Sequence, residues 1–187
     1  MKLLILDRDG VINHDSDDFI KSPEEWQPIK GSLPAIARLS QAGYDIVIIS
    51  NQSGVGRGLF SADTLGQIHV RMIDYIHQHG GKIHGLFVCP HHPDDGCECR
   101  KPKDGLYNEL AERLSVTFKD VYSVGDSLRD LEAAHTAGAT PVLVKTGKGK
   151  STAKTIRSTP DSPFREVATF DNLSSFAKAL LAGQLDS

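Results

Sequence analysis

Cysteine is scarce in this sequence, and positive charge never outweighs negative. Its three cysteines, Cys89, Cys97 and Cys99, are too few and too crowded for a disulfide framework. An odd number in one stretch suits a metal site in a reducing compartment. Lysine and arginine total 21 against 24 aspartates and glutamates, a net charge of −3, which excludes a nucleic-acid binder that works through a broad basic surface. No apolar run approaches the ~20 residues needed to cross a bilayer. The N-terminus has no basic segment, apolar segment and small-residue cleavage site in succession, so no secretory signal is expected. These absences point to a cytoplasmic protein with neither a membrane nor a nucleic acid as partner. With 39% hydrophobic and 24% charged residues in 187, the chain is expected to fold as one domain over residues 1–187 with a real core.

What is present begins at the N-terminus. Leu3, Leu4, Ile5 and Leu6 form a continuous apolar run, the mark of a strand buried on both faces. The run stops at Asp7-Arg8-Asp9-Gly10, with two carboxylates one residue apart where the strand emerges. Taken alone, that tetrapeptide reads equally well as a polar turn.

Further strands are expected at Tyr44–Ser50, near Ile83–Val88, at Asp120–Val124 and at Pro141–Val144. Between them lie helical patterns: one capped by Ser32 and stopped at Gly43, one started by Ser61, one after Asp104, one carrying Asp130 in its first turn and ending at Gly138. Asp171 is expected to cap a last helix, Leu173–Leu181, and the polar stretch 149–165 reads as a loose connection or a short helix. The alternation predicts an α/β fold, a doubly wound parallel sheet with helices on both faces and no large cap. In such sheets ligands bind beyond the carboxyl ends of the strands, where strand order reverses. Each unusual polar cluster follows a strand: Asp7 and Asp9, Ser50 and Asn51, Cys89 to Lys101, Asp126 and Asp130.

Three carboxylates on one sheet edge (Asp7, Asp9, Asp126) would repel without a cation, and oxygen-only ligands suit Mg2+. A metal-neutralised aspartate can attack phosphorus, giving an aspartyl phosphate. An acid two residues on can protonate the leaving oxygen and then activate water. Ser50, Asn51 and Lys101 are the candidates to surround the phosphoryl oxygens.

Asp7-Arg8-Asp9-Gly10-Val11-Ile12-Asn13, then Ser50-Asn51, Lys101 and Gly125-Asp126-Ser127 with Asp130 resemble the four motifs of the haloacid dehalogenase phosphatase superfamily, in order, from the first strand to about Lys148. The resemblance implies Asp7 as nucleophile, Asp9 as acid/base, and Mg2+ held by Asp7, the Asp9 carbonyl and Asp126. Ser50 and Lys101 would bind the transferring phosphoryl group, and Asp130 would support the lysine or the metal shell. Ser127 stands where that family often has a lysine.

Cys89-Pro90-His91 and Cys97-Glu98-Cys99 offer three sulfurs and an imidazole, a set that matches a closed, structural zinc site. His92 competes with His91 for the fourth place, and the resemblance favours His91. The loop over 89–102 would then deliver Arg100 and Lys101 into the site. Asn51-Gln52-Ser53-Gly54 with Arg57-Gly58, and Cys99-Arg100-Lys101-Pro102 with Gly105, are more similar to the heptose-bisphosphate phosphatases of that superfamily than to its histidinol-phosphatases. That likeness implies removal of a sugar phosphate in the supply of activated heptose for lipopolysaccharide. Substrate contacts would come from Asp15, Asp18, Asn51, Gln52, Ser53, Arg57 and Arg100. Arg100, with Arg57, is the candidate for a second phosphate, because guanidinium grips phosphate through two hydrogen bonds. A monomer is expected. The competing classes are a broader sugar phosphatase, a phospho-accepting receiver module and a zinc-bearing binding module without catalysis. The histidines at 14, 69, 77, 79, 84 and 135 read as structural or exposed, Trp26 as a plug under the early loop, and the lysines at 145, 148, 150 and 154 as a solvated connection.

Overall fold

The computed structural model describes residues 1–185. The elements alternate as β1 (Lys2–Leu6), α1 (Ser32–Gln41), β2 (Tyr44–Asn51), α2 (Ala62–Gln78), β3 (Gly85–Cys89), α3 (Gly105–Leu114), β4 (Tyr122–Gly125), α4 (Leu128–Ala137), β5 (Thr140–Val144), α5 (Gly149–Ser158), β6 (Ala168–Phe170) and α6 (Leu173–Leu181). All six strands are parallel in one sheet, ordered β3-β2-β1-β4-β5-β6. The order reverses between β1 and β4, so a crevice opens beyond the tips of those two strands.

The continuous apolar strands are explained by burial on both faces. Leu4 and Leu6 of β1 pack with Leu33, Ile36, Met72 and Phe176, placing α1, α2 and α6 on one side. Leu3 and Ile5 pack on the other side with Leu106, Leu110 and Ala133 of α3 and α4. Leu143 of β5 meets Ala153 and Ile156 of α5 on that same second side. Trp26 is fully buried against the first face, with its ring edge on Tyr75, so it plugs the early loop as expected.

Several local expectations shift. Ser32 is the first residue of α1, after Gly31 at φ +88°, and its hydroxyl donates to the Ile12 carbonyl instead of capping. Asn172, not Asp171, caps α6, its side chain accepting from the Ser175 amide. The stretch 149–165 contains α5, whose buried Ala153 and Ile156 supply an apolar face. Strand β6 is a half-buried edge of three residues, too short to carry a visible alternation. No helix among the described residues is long and apolar enough to cross a membrane.

Candidate active site

Asp7 follows β1 directly, and its amide donates to the Val124 carbonyl of β4 at 2.9 Å. This bond pins the Asp7 backbone at the crevice. Oxygens of Asp7, Asp126 and Asp130 gather within 4.8 Å of one another, all buried. Two glycines make the room: at Gly10 (φ +81°) and Gly147 (φ +53°) a Cβ would collide with the Asp126 carboxylate. The Lys148 amide donates to Asp126 Oδ2 at 2.7 Å, and the Thr152 hydroxyl holds the Asp126 carbonyl at 2.8 Å. Burial, then the charges of Asp130 and Asp7, push the Asp126 pKa up to about 8. Burial likewise raises Asp7 to about 6 against the opposing pull of Lys101.

Lys101 is buried, and its ammonium has three oxygens close by: Ile49 carbonyl at 2.8 Å, Asp7 Oδ1 at 3.0 Å and Asp130 Oδ1 at 2.7 Å. Burial would lower its pKa, but Asp130 and then Asp7 outweigh that and raise it. The other Asp130 oxygen accepts from the Ser127 amide at 3.0 Å and hydroxyl at 2.6 Å. Asp130 therefore ion-pairs with the lysine through Oδ1, an oxygen that accepts no hydrogen bond among the described residues and lies with those of Asp7 and Asp126. Asn51 clamps the lysine's backbone from β2, its side-chain amide donating to the Lys101 carbonyl and accepting from the Lys101 amide, both at 3.0 Å.

Asp9 is held from several sides. The Arg8 guanidinium reaches Oδ1 through Nε at 3.1 Å and Nη2 at 2.9 Å, and Oδ2 through Nη2 at 3.1 Å. Asn13 donates to Oδ1 at 2.8 Å, and Gln52 Nε2 to Oδ2 at 2.7 Å. Burial alone would raise the Asp9 pKa; Arg8 and these hydrogen bonds overcome it and hold the carboxyl below its usual range. The same Gln52 nitrogen lies 2.8 Å from Ser50 Oγ, so one amide couples the two side chains.

Three buried carboxylates (Asp7, Asp126, Asp130) and the half-buried Asp9 face two buried cations, Arg8 and Lys101. Two negative charges are left over. Asp7 and Asp126 both offer hard oxygens, so the donor set fits a divalent, oxygen-loving ion such as Mg2+.

The zinc-type set also converges. Cys89, His91, Cys97 and Cys99 place their ligand atoms within 4.8 Å of one another. Cys89 Sγ lies 3.6 Å from Cys97 Sγ and 3.6 Å from His91 Nδ1, which is 3.1 Å from Cys99 Sγ. Tetrahedral Zn–S bonds of about 2.3 Å imply sulfur separations of about 3.7 Å, so the cluster has the right size. His92 turns elsewhere, its Nδ1 accepting from the Asp94 amide. The sulfur loop ends at Cys99, directly before Arg100 and Lys101.

The crevice is a cleft whose walls include Asp15, Asn51, Gln52, Ser53, Arg57 and Arg100, all expected there. Ser50 is buried under Gln52. Asp18 departs from expectation: it is exposed and outside the cleft wall, its amide donating to Ser16 Oγ, while Asp17 and Phe19 line the cleft. The loop turns at Phe19 (φ +64°), a conformation that residue order alone does not announce. Arg57 stacks over the Phe19 ring at 5.7 Å.

Four residues of the site went unassigned in the sequence. Lys148, read as part of a solvated connection, lines the cleft and reaches Asp15 at 3.4 Å and Asp17 at 3.7 Å. Arg129 lines it beside Arg100. Arg100 Nη1 and Arg129 Nε are buried without a hydrogen-bond partner, and burial followed by the charge of Arg129 lowers the Arg100 pKa. Arg8 and His69 lie beneath Asp9. Only Arg129 carried a usable signal, its place in the first turn of the helix after β4.

A family model described as HAD-hydrolase-like matches residues 98–174. A D-glycero-beta-D-manno-heptose-1,7-bisphosphate 7-phosphatase of Bordetella bronchiseptica is 56% identical over 152 residues, covering 81% of this chain and 85% of that protein. The enzyme of the same name from Pseudomonas putida is 48% identical, covering 97% of this chain and all of its own length. The crystal structure of D,D-heptose 1,7-bisphosphate phosphatase from B. bronchiseptica, complexed with magnesium and phosphate, superposes with a TM-score of 0.92 at 49% identity, covering 98% of this chain and 99% of that one.

Proposed function

This chain belongs to the heptose-1,7-bisphosphate 7-phosphatase family of HAD-like hydrolases, and from that premise we propose that it is a Mg2+-dependent phosphatase removing the phosphate at carbon 7 of D-glycero-D-manno-heptose 1,7-bisphosphate. The observation that carries this reading is the meeting of Asp7, Asp9, Lys101 and Asp126 beyond the tips of β1 and β4. The relatives are named for the beta anomer, and the reading extends that preference to this chain.

In the first step an Asp7 carboxylate oxygen forms a bond to phosphorus. The bond from phosphorus to the sugar oxygen breaks; Asp9, whose ionised form Arg8, Asn13 and Gln52 favour, must first take up a proton from solvent, and it delivers that proton to the leaving oxygen, leaving an aspartyl phosphate on Asp7. In the second step Asp9 takes a proton from water, whose oxygen attacks phosphorus, and Asp7 departs as carboxylate with inorganic phosphate released. Ser50 and Lys101 bind the equatorial oxygens, the lysine held in place by Asp130 and Asn51. Mg2+, held by Asp7, the Asp9 carbonyl and Asp126, would neutralise the attacking carboxylate and the charge that develops on the phosphoryl oxygens. Zinc, held by Cys89, His91, Cys97 and Cys99, would have no open position and would fix the loop that carries Arg100 and Lys101.

Arg100 and Arg57 serve the second phosphate of the substrate, and their lack of carboxylate partners in the cleft supports this. Asp15, Gln52 and Ser53 contact the sugar. We place the product in the supply of activated heptose for lipopolysaccharide, as the name of the relatives implies. Free thiols assembled for a metal support a cytoplasmic setting. The whole chain, 1–187, is read as one domain because one sheet carries every strand, and as a monomer because no cap or second body completes the site.

The test is phosphate release from the heptose bisphosphate, a heptose 7-monophosphate and histidinol phosphate, with Asp7→Asn as the inactive control. The bisphosphate is expected to give the highest kcat/KM. Preference for histidinol phosphate would overturn the substrate assignment, and activity in Asp7→Asn would overturn the nucleophile.

A further inference from the structure

Arg8 is 1% exposed although it sits at the mouth of a polar crevice. Its Nε and Nη2 fork onto Asp9, which leaves Nη1 to find another acceptor inside the protein. That acceptor is His69 Nε2, at 3.2 Å. His69 comes from α2, 61 positions along the chain, and it is the one polar member of a buried stripe formed by Leu65, Ile68, Met72 and Ile76. An apolar residue would complete that stripe, so packing alone gives no reason for an imidazole there.

Arginine has only donors, so the His69 Nε2 that faces it must accept, and the ring is neutral with its proton on Nδ1. Burial and then the Arg8 charge lower the His69 pKa to about 4, which keeps it in that acceptor form. The contacts therefore run in one direction, from imidazole lone pair to guanidinium to carboxylate. The guanidinium is rigid and planar, and its two ends are fixed by different elements. Its plane sets the plane of the Asp9 carboxylate.

We propose that His69 is a positioning residue for the reaction: acting through Arg8, it fixes the direction in which the Asp9 carboxylate meets the leaving oxygen. The proposal rests on the reading of Asp9 as the acid/base. Without the imidazole, the buried Nη1 would lack an acceptor and the guanidinium would lose its anchor on α2. Asp9 would then lose its fixed orientation while the Asp7, Asp126 and Lys101 contacts stayed intact.

Leaving-group dependence tests this. kcat/KM reports on the steps up to release of the alcohol. A sugar oxygen needs a proton to leave, whereas nitrophenolate from 4-nitrophenyl phosphate does not. The quantity to read is the ratio of kcat/KM for the heptose bisphosphate to that for 4-nitrophenyl phosphate, which is independent of how much of a preparation is folded. In His69→Leu the ratio is expected to fall about tenfold, part of the ~10²–10⁴ that acid catalysis contributes. His69→Gln, whose carbonyl oxygen can accept from Arg8, is expected to restore most of it. His69→Met is read in the same way as the leucine variant should the latter fold poorly. Asp9→Asn supplies the reference, with a larger fall. If Asp9→Asn lowers the ratio and the apolar His69 variants do not, His69 is only structural and the inference fails. If Asp9→Asn leaves the ratio unchanged, the acid/base reading itself fails and the inference falls with it.

Discussion

Lys101 Nζ and Asp130 Oδ1 stand 2.7 Å apart, both buried, and the same ammonium lies 3.0 Å from Asp7 Oδ1 and donates to the Ile49 carbonyl. Asp130 is the partner that offsets the cost of burying the ammonium, so the pair is structural as well as functional. Breaking a buried pair by removing one partner typically costs about 3–5 kcal/mol. Asp130→Asn is therefore expected to lower thermal stability and to reduce kcat at least tenfold (a share of phosphoryl-charge stabilisation). Because Asp130 Oδ1 is ion-paired with Lys101 and Oδ2 accepts from Ser127, the magnesium concentration for half-maximal activity is expected to move little. Asp126→Asn is expected to raise it strongly. A magnesium titration of the two variants separates the roles, and equal shifts would make Asp130 a metal ligand.

Removal of metal from the Cys89, His91, Cys97 and Cys99 cluster is expected to lower activity strongly without unfolding the sheet. The loop 89–102 joins β3 to α3 and carries Arg100 and Lys101. Losing its internal tether would free the lysine from the geometry that Asn51 and Asp130 impose. Disturbing the surroundings of a metal site commonly costs about 10–100-fold in activity. Zinc content and phosphatase rate measured on the same chelated samples should fall together, excess magnesium should not restore the rate, and circular dichroism should keep its α/β signature. Full activity in zinc-free protein would show that the cluster has no part in placing Lys101.

Gly147→Ala and Lys148→Ala, one residue apart, should behave differently. A Cβ at Gly147 would strike the Asp126 carboxylate and the Gly10 backbone, at a residue with φ +53°. The alanine variant is expected to need far more magnesium and to lose most of its kcat. Lys148 holds Asp126 through its main-chain amide, which alanine retains. Its side chain is half exposed and pairs with Asp15 and Asp17 at 3.4 and 3.7 Å, contacts worth about 0–1 kcal/mol and screened by salt. Lys148→Ala is expected to raise KM a few-fold (about one weak ion pair), with the difference from the parent protein shrinking at high salt. Steady-state kinetics at two ionic strengths, with a magnesium titration, checks both.

The parts of this architecture that were legible in the sequence depend on local pattern. The run Leu3–Leu6 ends at Asp7 because apolar side chains cover both faces of β1 and polar ones surround its tip, so the chemistry changes within one peptide unit while burial continues. The cysteine spacing defined a cluster for the same reason, since its ligands lie on one loop. Contacts made by long side chains across the fold were not legible. Arg129 and Lys148 enter the cleft because of where α4 and α5 begin, and His69 reaches Arg8 only when α2 packs on the sheet. Asp18 was placed in the site and Asp17 left out because an irregular loop has no period from which to infer facing. β6 escaped for lack of length, and Asn172 displaced Asp171 as a cap through a hydrogen bond that either residue type could make.

His69 also ties stability to pH. Its pKa falls from the model-compound value of 6.5 to about 4 in the folded chain, through burial first and the Arg8 charge second, with Asp9 opposing. The unfolded chain takes up a proton below 6.5 that the folded chain resists until about 4. Across that window the unfolded state binds more protons, so stability rises with pH and is lost as pH falls. The full interval corresponds to an upper bound of roughly 3.5 kcal/mol, taking about 1.4 kcal/mol per pH unit. The groups facing the ring that can modify this are Arg8 and Asp9; protonation of Asp9 at the acid end would remove the negative charge that opposes the shift and push in the same direction. In magnesium-saturated protein, where metal would hold the Asp7 and Asp126 carboxylates, His69→Gln is expected to flatten the acid side of the stability profile relative to the parent chain. Denaturant unfolding at intervals between pH 4.5 and pH 7, roughly the window set by these two values, gives the comparison. Parallel profiles for the two proteins would mean that the imidazole takes up its proton as readily in the fold as in the unfolded chain, so that neither burial nor the Arg8 contact holds it in the acceptor form.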